Sequence, residues 1–260
     1  MTGLAVVTSW DAWRAERDRS LREEYGWLSI VGFDWLGSDV RGVSGLPGLW
    51  SVRSGAAWVT ADRSDGLTYE GEPIDGTFGA TVSEAGSLLW LRHGRRLVEL
   101  VLRGGRYAVR QRDPSAHTRL GFAGVPTFAP RSEWVVPGLF TPYPQPLAIE
   151  VATARSDLRQ QVRAVGIVRF SLAGTEYELV ATAGRGGAVT LTFHDETNGV
   201  DTAPWRAVSV GAPGPDGVVS IDFNRTTNLP FAFTPYGTCP APIEGNRLLL
   251  PVTAGEQAPR

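Results

Sequence analysis

The chain has 260 residues, with 31 Gly, 18 Pro and 10% aromatic residues, a composition that predicts many turns and many short strands around a sizeable core. A net charge of −2 argues against nucleic acid or an acidic membrane surface as a general partner, and no apolar run reaches the ~18 residues of a membrane span. All 25 basic residues are arginine, so Schiff-base catalysis, attachment of pyridoxal phosphate and a phosphate-loop lysine are excluded.

The opening MTGLAVVTSWDAW has neither a basic head nor a long apolar segment, and the single cysteine, Cys239, forbids an internal disulfide; together they predict a cytoplasmic protein. Thr8 to Glu24 reads as the one good helix, with a capping box from Thr8 to Asp11 and a stripe of Trp10, Trp13 and Leu21. Its other face is charged (Arg14, Glu16, Arg17, Asp18), so an amphipathic arm over residues 8–25 is expected to lie on the fold or to bind a partner. GWL and FDWLG over 26–37 read as an apolar, glycine-broken segment packed at the mouth of a sheet.

Short strands follow at Trp50–Val52, Ala57–Thr60, Leu67–Glu70, Thr77–Val82 and Ser87–Arg92. Arg96–Arg103 and Arg106–Arg112 flank Gly104-Gly105, a strong signal for a tight hairpin. A strand is expected near Trp134–Val136, then an irregular proline-rich connection over 137–146. Pro146–Ala152, Val162–Leu172, Thr175–Thr182 and Ala188–His194 follow; in the last, Val189, Leu191 and Phe193 alternate with Thr190, Thr192 and His194. Trp205–Val210, Val218–Phe223 and Arg247–Val252 complete the set, and 254–260 reads as a frayed polar tail. The expected fold is mainly β: a barrel-like or sandwich antiparallel body over 46–252 and one N-terminal helix, in a single domain of 260 residues.

The organising stretch is Val218 to Arg247. Its strand alternates, with Val219, Ile221 and Phe223 on one face and Ser220, Asp222 and Asn224 on the other. Arg225, Asn228 and the apolar LPFAF of 229–233 come next, and polar groups beside an apolar wall are what a ligand pocket requires. The alternative is structural, with Asp222 and Arg225 as an ion pair and the asparagines satisfying turn backbone.

The words HDETNG, IDFNRTTNLPFAFTPYGTCPAPIEGNRL and the closing AGE, with GWL…GFDWL and VRQRD earlier, resemble the bacterial and archaeal domain of unknown function 1684. The resemblance implies a shared fold and site but no reaction. Leu229 and Phe231 stand where the family usually has a second proline and a cysteine, and Ala203 where it usually has tyrosine, so those groups have no role here.

Four chemistries are weighed against these residues. Arg225 and Arg247, helped by Arg112, could grip an anion while Asn224 and Asn228 donate amide hydrogens. His194 or Asp222 could serve as the base of a hydrolase if their strands pair. Cys239 has no helix N-terminus beside it to lower its pKa and reads as structural rather than nucleophilic. His93, His117 and His194 lack ligand spacing, so no metal site is expected, and no motif names a cofactor. The reading is a pocket for a small polar or anionic molecule around 222–247, with a hydrolase or a ligand-free structural protein as alternatives and the oligomeric state left open.

Overall fold

The computed structural model describes residues 2–259; for residues 2–9 and 185 only the backbone is described. The chain forms two compact units, Arg19–Phe122 (the inserted unit) and Met1–Asp18 with Ala123–Arg260 (the C-terminal unit). Residues 46–252, read above as one β body, are divided between them. Secondary structure is mainly antiparallel β in three sheets, and none closes into a barrel among the described residues. No helix among them is long and apolar enough to cross a membrane.

Helix α1 runs Thr2–Leu21, six residues earlier than the capping-box reading placed it. Thr8 is interior to the helix, and its side chain lies outside the described ones. The face withdrawn from solvent carries Trp10, Trp13, Arg14, Arg17, Asp18 and Leu21, so the two arginines expected to face water are part of the docked stripe.

The inserted unit contains β1 (Ile30–Trp35), β2 (Arg41–Val43), β3 (Leu46–Arg53), β4 (Ala56–Ala61), β5 (Leu67–Tyr69), β6 (Glu72–Pro73), β7 (Gly76–Ala80), β8 (Ser87–His93), β9 (Arg96–Arg103) and β10 (Arg106–Arg112), then a short α2 (His117–Leu120). Six strands form one sheet in the order β1-β10-β9-β8-β5-β6, and β2-β3-β4-β7 form another. Both contribute to one core, in which Trp50 and Val59 of the smaller sheet meet Trp90, Leu100 and Val109 of the larger. That is a sandwich, built by period-two alternation. The β9–β10 hairpin turns through Gly104 and Gly105 at φ 57° and 71°, angles that a primed turn demands and that glycine adopts without strain. The aromatic segment expected to pack at a sheet mouth is itself strand β1, paired with β10 from Ile30 to Trp35.

The C-terminal unit holds β11 (Val135–Ala152), β12 (Arg159–Leu172), β13 (Thr175–Ala183), β14 (Val189–Phe193), β15 (Arg206–Val210), β16 (Val218–Asp222) and β17 (Thr227–Asn228), in the sheet order β16-β11-β12-β13-β14-β15-β17. The proline-rich 137–146 is strand, not an irregular connection. Proline tolerates extended φ but donates nothing, so the β11–β12 register shifts between Pro142 and Leu147 while the strand continues. One face of the sheet packs Val168, Leu179, Leu191, Phe193, Ile221 and Phe223 into the main core. The opposite face carries a small second cluster with Ala164, Val162 and Val180, covered by Ile243.

Two C-terminal expectations are corrected. Residues 247–252 make no strand beyond a single parallel bridge between His194 and Arg247. Their backbone is satisfied irregularly instead: Leu248 N donates to the His194 carbonyl and Val252 N to Asp195 Oδ1. The tail is not frayed, because Val252, Ala254, Gly255 and Glu256 are buried.

Candidate functional site

The Asp-Phe-Asn-Arg word sits where β16 ends. Phe223 turns inward and packs its ring edge-on against Trp134 and Phe193 and tilted against Phe170. Asp222 caps the following 3₁₀ turn: its Oδ1 accepts from the Asn224 backbone N at 3.0 Å and from Asn224 Nδ2 at 3.0 Å. Asn224 is 2% exposed. Its Oδ1 accepts from Arg131 N, its Nδ2 donates to Arg131 O, and its carbonyl accepts from Trp10 Nε1. Its amide therefore ties the turn to the 131 loop rather than facing a solute. Arg225, 37% exposed at its side chain, pairs with Asp222 at 3.2 Å.

Asn228, 2% exposed, donates its backbone N to Glu256 Oε2 at 2.6 Å and its Nδ2 to the Gln257 carbonyl at 2.7 Å. Glu256 entered the sequence reading only as part of the closing AGE word, with no role, yet it is the hub of this region. Its carboxylate is fully buried and accepts from Arg17 Nε at 2.9 Å and Nη2 at 3.3 Å, with Arg14 Nη1 at 3.8 Å. Arg17 also donates to the Asn228 carbonyl, and Arg14 to the Val125 carbonyl. Three polar anchors thus hold α1 on this unit: Trp10, Arg14 and Arg17. Gly255 makes the approach feasible, since at φ 75° a Cβ there would stand 2.5 Å from the Thr226 carbonyl.

The His-Asp-Glu-Thr-Asn-Gly word forms a second buried network. Asp195 Oδ2 accepts from Arg206 Nη2 at 2.9 Å, and Arg206 also donates to the carbonyls of Val252, Ala254 and Glu256. Burial pulls the Arg206 guanidinium below its ordinary pKa, opposed by the charges of Asp195 and Glu256. Both family words therefore close loops onto the core.

His194 Nδ1 lies 2.9 Å from the Pro204 carbonyl, and the ring packs edge-on against Trp205. Its strand β14 and the Asp222 strand β16 are not neighbours in the sheet, so the pairing that would bring the two side chains together is not made. Arg247 is 57% exposed at its side chain and lies 3.4 Å from Glu196, while Arg225 pairs with Asp222. Arg112 belongs to the inserted unit, where it is buried, pairs with Glu99 at 2.8 Å and donates to the Tyr25 and Gly26 carbonyls. Cys239 is buried and forms no disulfide. Among the described residues no three His, Cys, Asp or Glu side chains cluster as metal ligands would.

A cavity of about 230 Å3 opens on the outer face of β12, β13 and β14, beneath the 229–246 segment. Asn246 creates it. β13 and β14 pair only at Thr182–Thr190 and Ala183–Val189 and then diverge. In the gap Asn246 Oδ1 accepts from Val180 N, and its Nδ2 donates to the Val180 and Thr192 carbonyls. One carboxamide replaces a length of missing strand pairing and leaves the face hollow. Leu229, Pro240, Ala241 and Ile243 roof it and Val162 and Val180 floor it. Arg163 is among the lining residues, but with Val162 and Ala164 on the cavity side of β12 its exposed side chain is sent to the opposite face of the sheet. A second depression, about 400 Å3, has Thr202 as its one polar side chain, and that hydroxyl is already bonded to Thr197 and Asn198. The sequence signal for the first cavity was the threonine face of β14 together with the apolar loop after Asn228.

Residues 120–257 match the family model described as "Protein of unknown function (DUF1684)". The earlier words GWL…GFDWL and VRQRD lie outside the matched range. No curated protein matches the chain. Among solved structures, the solution NMR structure of an uncharacterized protein of Haloarcula marismortui is 26% identical, with a TM-score of 0.45, over 54% of this chain and 78% of that one.

Proposed function

The chain belongs to the DUF1684 family, whose description carries no reaction, and we propose from its own geometry that the C-terminal unit binds a small polar or anionic molecule in the cavity under residues 229–246. The observation that carries this reading is the hollow itself, walled by Val162, Val180, Leu229 and Ile243 with Thr182, Thr192 and Asn246 among its lining. A few polar groups set in an apolar wall suit a small ligand with one polar end. In this reading Asn224, Asn228 and Arg225 build the frame and Asn246 holds the cavity open. A hydrolase using His194 or Asp222 has less behind it: neither side chain lines this cavity, and each is engaged by its neighbours. We place the protein in the cytoplasm on its single free cysteine, and fractionation finding it elsewhere would remove that part.

The test is a thermal-shift screen of small polar and anionic organic molecules on wild type and on Ala241→Phe, which fills the hollow. Members that bind raise the melting temperature of the wild type and leave the filled variant unmoved. A panel without effect, or with equal effect on both proteins, would favour the ligand-free structural alternative.

A further inference from the structure

We infer, resting on the reading above, that the ligand is uncharged: a short aliphatic molecule with one hydroxyl or carbonyl oxygen, which pairs with Thr192 Oγ1 while the chain lies beneath Leu229 and Ile243. The charge of the lining decides first. Arg163 is its one ionisable residue, and that side chain leaves by the opposite face of the sheet. A carboxylate, phosphate or ammonium taken into the hollow would lose its hydration and meet no counter-charge. No aromatic ring lines the cavity, so a nucleobase or other flat ring finds nothing to stack on.

Hydrogen-bonding capacity decides next. The Asn246 carboxamide is committed to Val180 and Thr192, and Thr182 Oγ1 donates to the Thr190 carbonyl at 3.3 Å. Thr192 faces the cavity because its neighbours Leu191 and Phe193 face the main core. Its hydroxyl alone forms no bond among the described residues, and its oxygen is reachable from solvent. A hydroxyl both donates and accepts, so it serves a ligand carbonyl or a ligand hydroxyl equally. A sugar, with a hydroxyl on nearly every carbon, would leave most of them unpaired. What remains is a hydrocarbon body with a single neutral oxygen. A hollow of about 230 Å3, at roughly 30 Å3 per heavy-atom group as for liquid water, takes about eight such groups.

The experiment is an NMR titration of the full chain with butan-1-ol, hexan-1-ol, decan-1-ol, hexan-2-one, hexanoate, hexylammonium and 1-chloropentane. Affinity is expected to rise about four-fold per added methylene from butan-1-ol to hexan-1-ol, the factor equivalent to ~0.8 kcal/mol, and to have stopped rising by decan-1-ol. Hexan-1-ol and hexan-2-one should each bind at least about ten-fold tighter than hexanoate or hexylammonium. Thr192→Val keeps the shape of the side chain and removes the hydroxyl. It should weaken hexan-1-ol about five-fold, the loss of one net hydrogen bond, and leave 1-chloropentane, which has no oxygen, no weaker. Hexanoate or hexylammonium binding as tightly as hexan-1-ol, affinity flat with chain length, Thr192→Val acting alike on hexan-1-ol and 1-chloropentane, or hexan-1-ol binding kept in Ala241→Phe would overturn the inference. If hexan-1-ol and hexan-2-one fail while a charged molecule binds the wild type and not Ala241→Phe, the ligand class is wrong and the binding site stands. If nothing binds the wild type, both fall.

Discussion

Replacing Arg17 with alanine tests whether α1 is held by charge rather than by an apolar stripe. The change removes contacts of 2.9 and 3.3 Å from the Glu256 carboxylate, which is 0% exposed at its side chain. It also removes the 2.9 Å bond to the Asn228 carbonyl. Glu256 would keep the Asn228 N–H at 2.6 Å and Arg14 at 3.8 Å. Breaking a buried ion pair from one side costs about 3–5 kcal/mol, because the remaining charge is left without a partner. Arg17 is 21% exposed, and Arg14 stays nearby, so the low end applies, about 3 kcal/mol. With a urea m-value of about 2 kcal/mol/M, the midpoint falls by about 1.5 M. The assay is urea denaturation by circular dichroism, read on the transition that carries the C-terminal unit. Glu256→Gln alone should also destabilise, and the double variant should cost at least ~1 kcal/mol less than the sum of the singles, since it removes both charges of the Arg17–Glu256 pair together. An Arg17→Ala midpoint within about 0.5 kcal/mol of wild type, or additive singles, would refute the reasoning.

Three further outcomes follow from the same geometry. Asn246→Ala strips partners from the backbone groups of Val180 and Thr192, should cost about 2–4 kcal/mol, and should speed amide hydrogen exchange in β13 and β14; unchanged exchange there would remove its role as the bridge. Arg225→Ala breaks a partly exposed pair with Asp222, worth at most ~1 kcal/mol, and should leave binding of any cavity ligand unaltered; a large loss of affinity would return Arg225 to the ligand. Asp34 has its carboxyl pKa raised by burial, an effect only partly offset by Arg41. The folded state therefore holds that proton more tightly than the unfolded chain, and stability falls as pH rises from the unfolded value through the folded one. Asp34→Asn should stabilise at neutral pH and do nothing at low pH, and a stabilisation independent of pH would contradict this assignment.

The alternating strands were legible because each records its own faces: Leu191 and Phe193 went to the core, while Thr190 and Thr192 went to the other side. The hairpin at Gly104-Gly105 was legible because its turn chemistry is local. Both ends of strand β11 were legible, but its middle, 137–146, was hidden because prolines signal a break in the ladder, and here the ladder shifts while the chain stays extended. Arg17 was read as a solvent-facing charge because its partner stands 239 residues away. The same separation made the Ala-Gly-Glu tail look frayed. Asn224 and Asn228 were read as ligand donors because polar residues beside an apolar loop look alike whether they meet a solute or close backbone bonds. Distant partners such as Arg131 and Gln257 decide between those cases, and local pattern carries no trace of them.

The central claim is that the hollow held open by Asn246 is where a ligand sits, and methyl NMR tests it most directly. With isoleucine, leucine and valine methyls labelled, the small organic molecule that raises the melting temperature most in the screen is titrated into the wild-type protein. The account predicts shifts at Val162, Val180, Leu229 and Ile243, which line the cavity, and none at Leu191 or Val208 in the main core. Shifts confined to exposed positions such as Leu139 and Val218, with the four cavity residues unmoved, would contradict it.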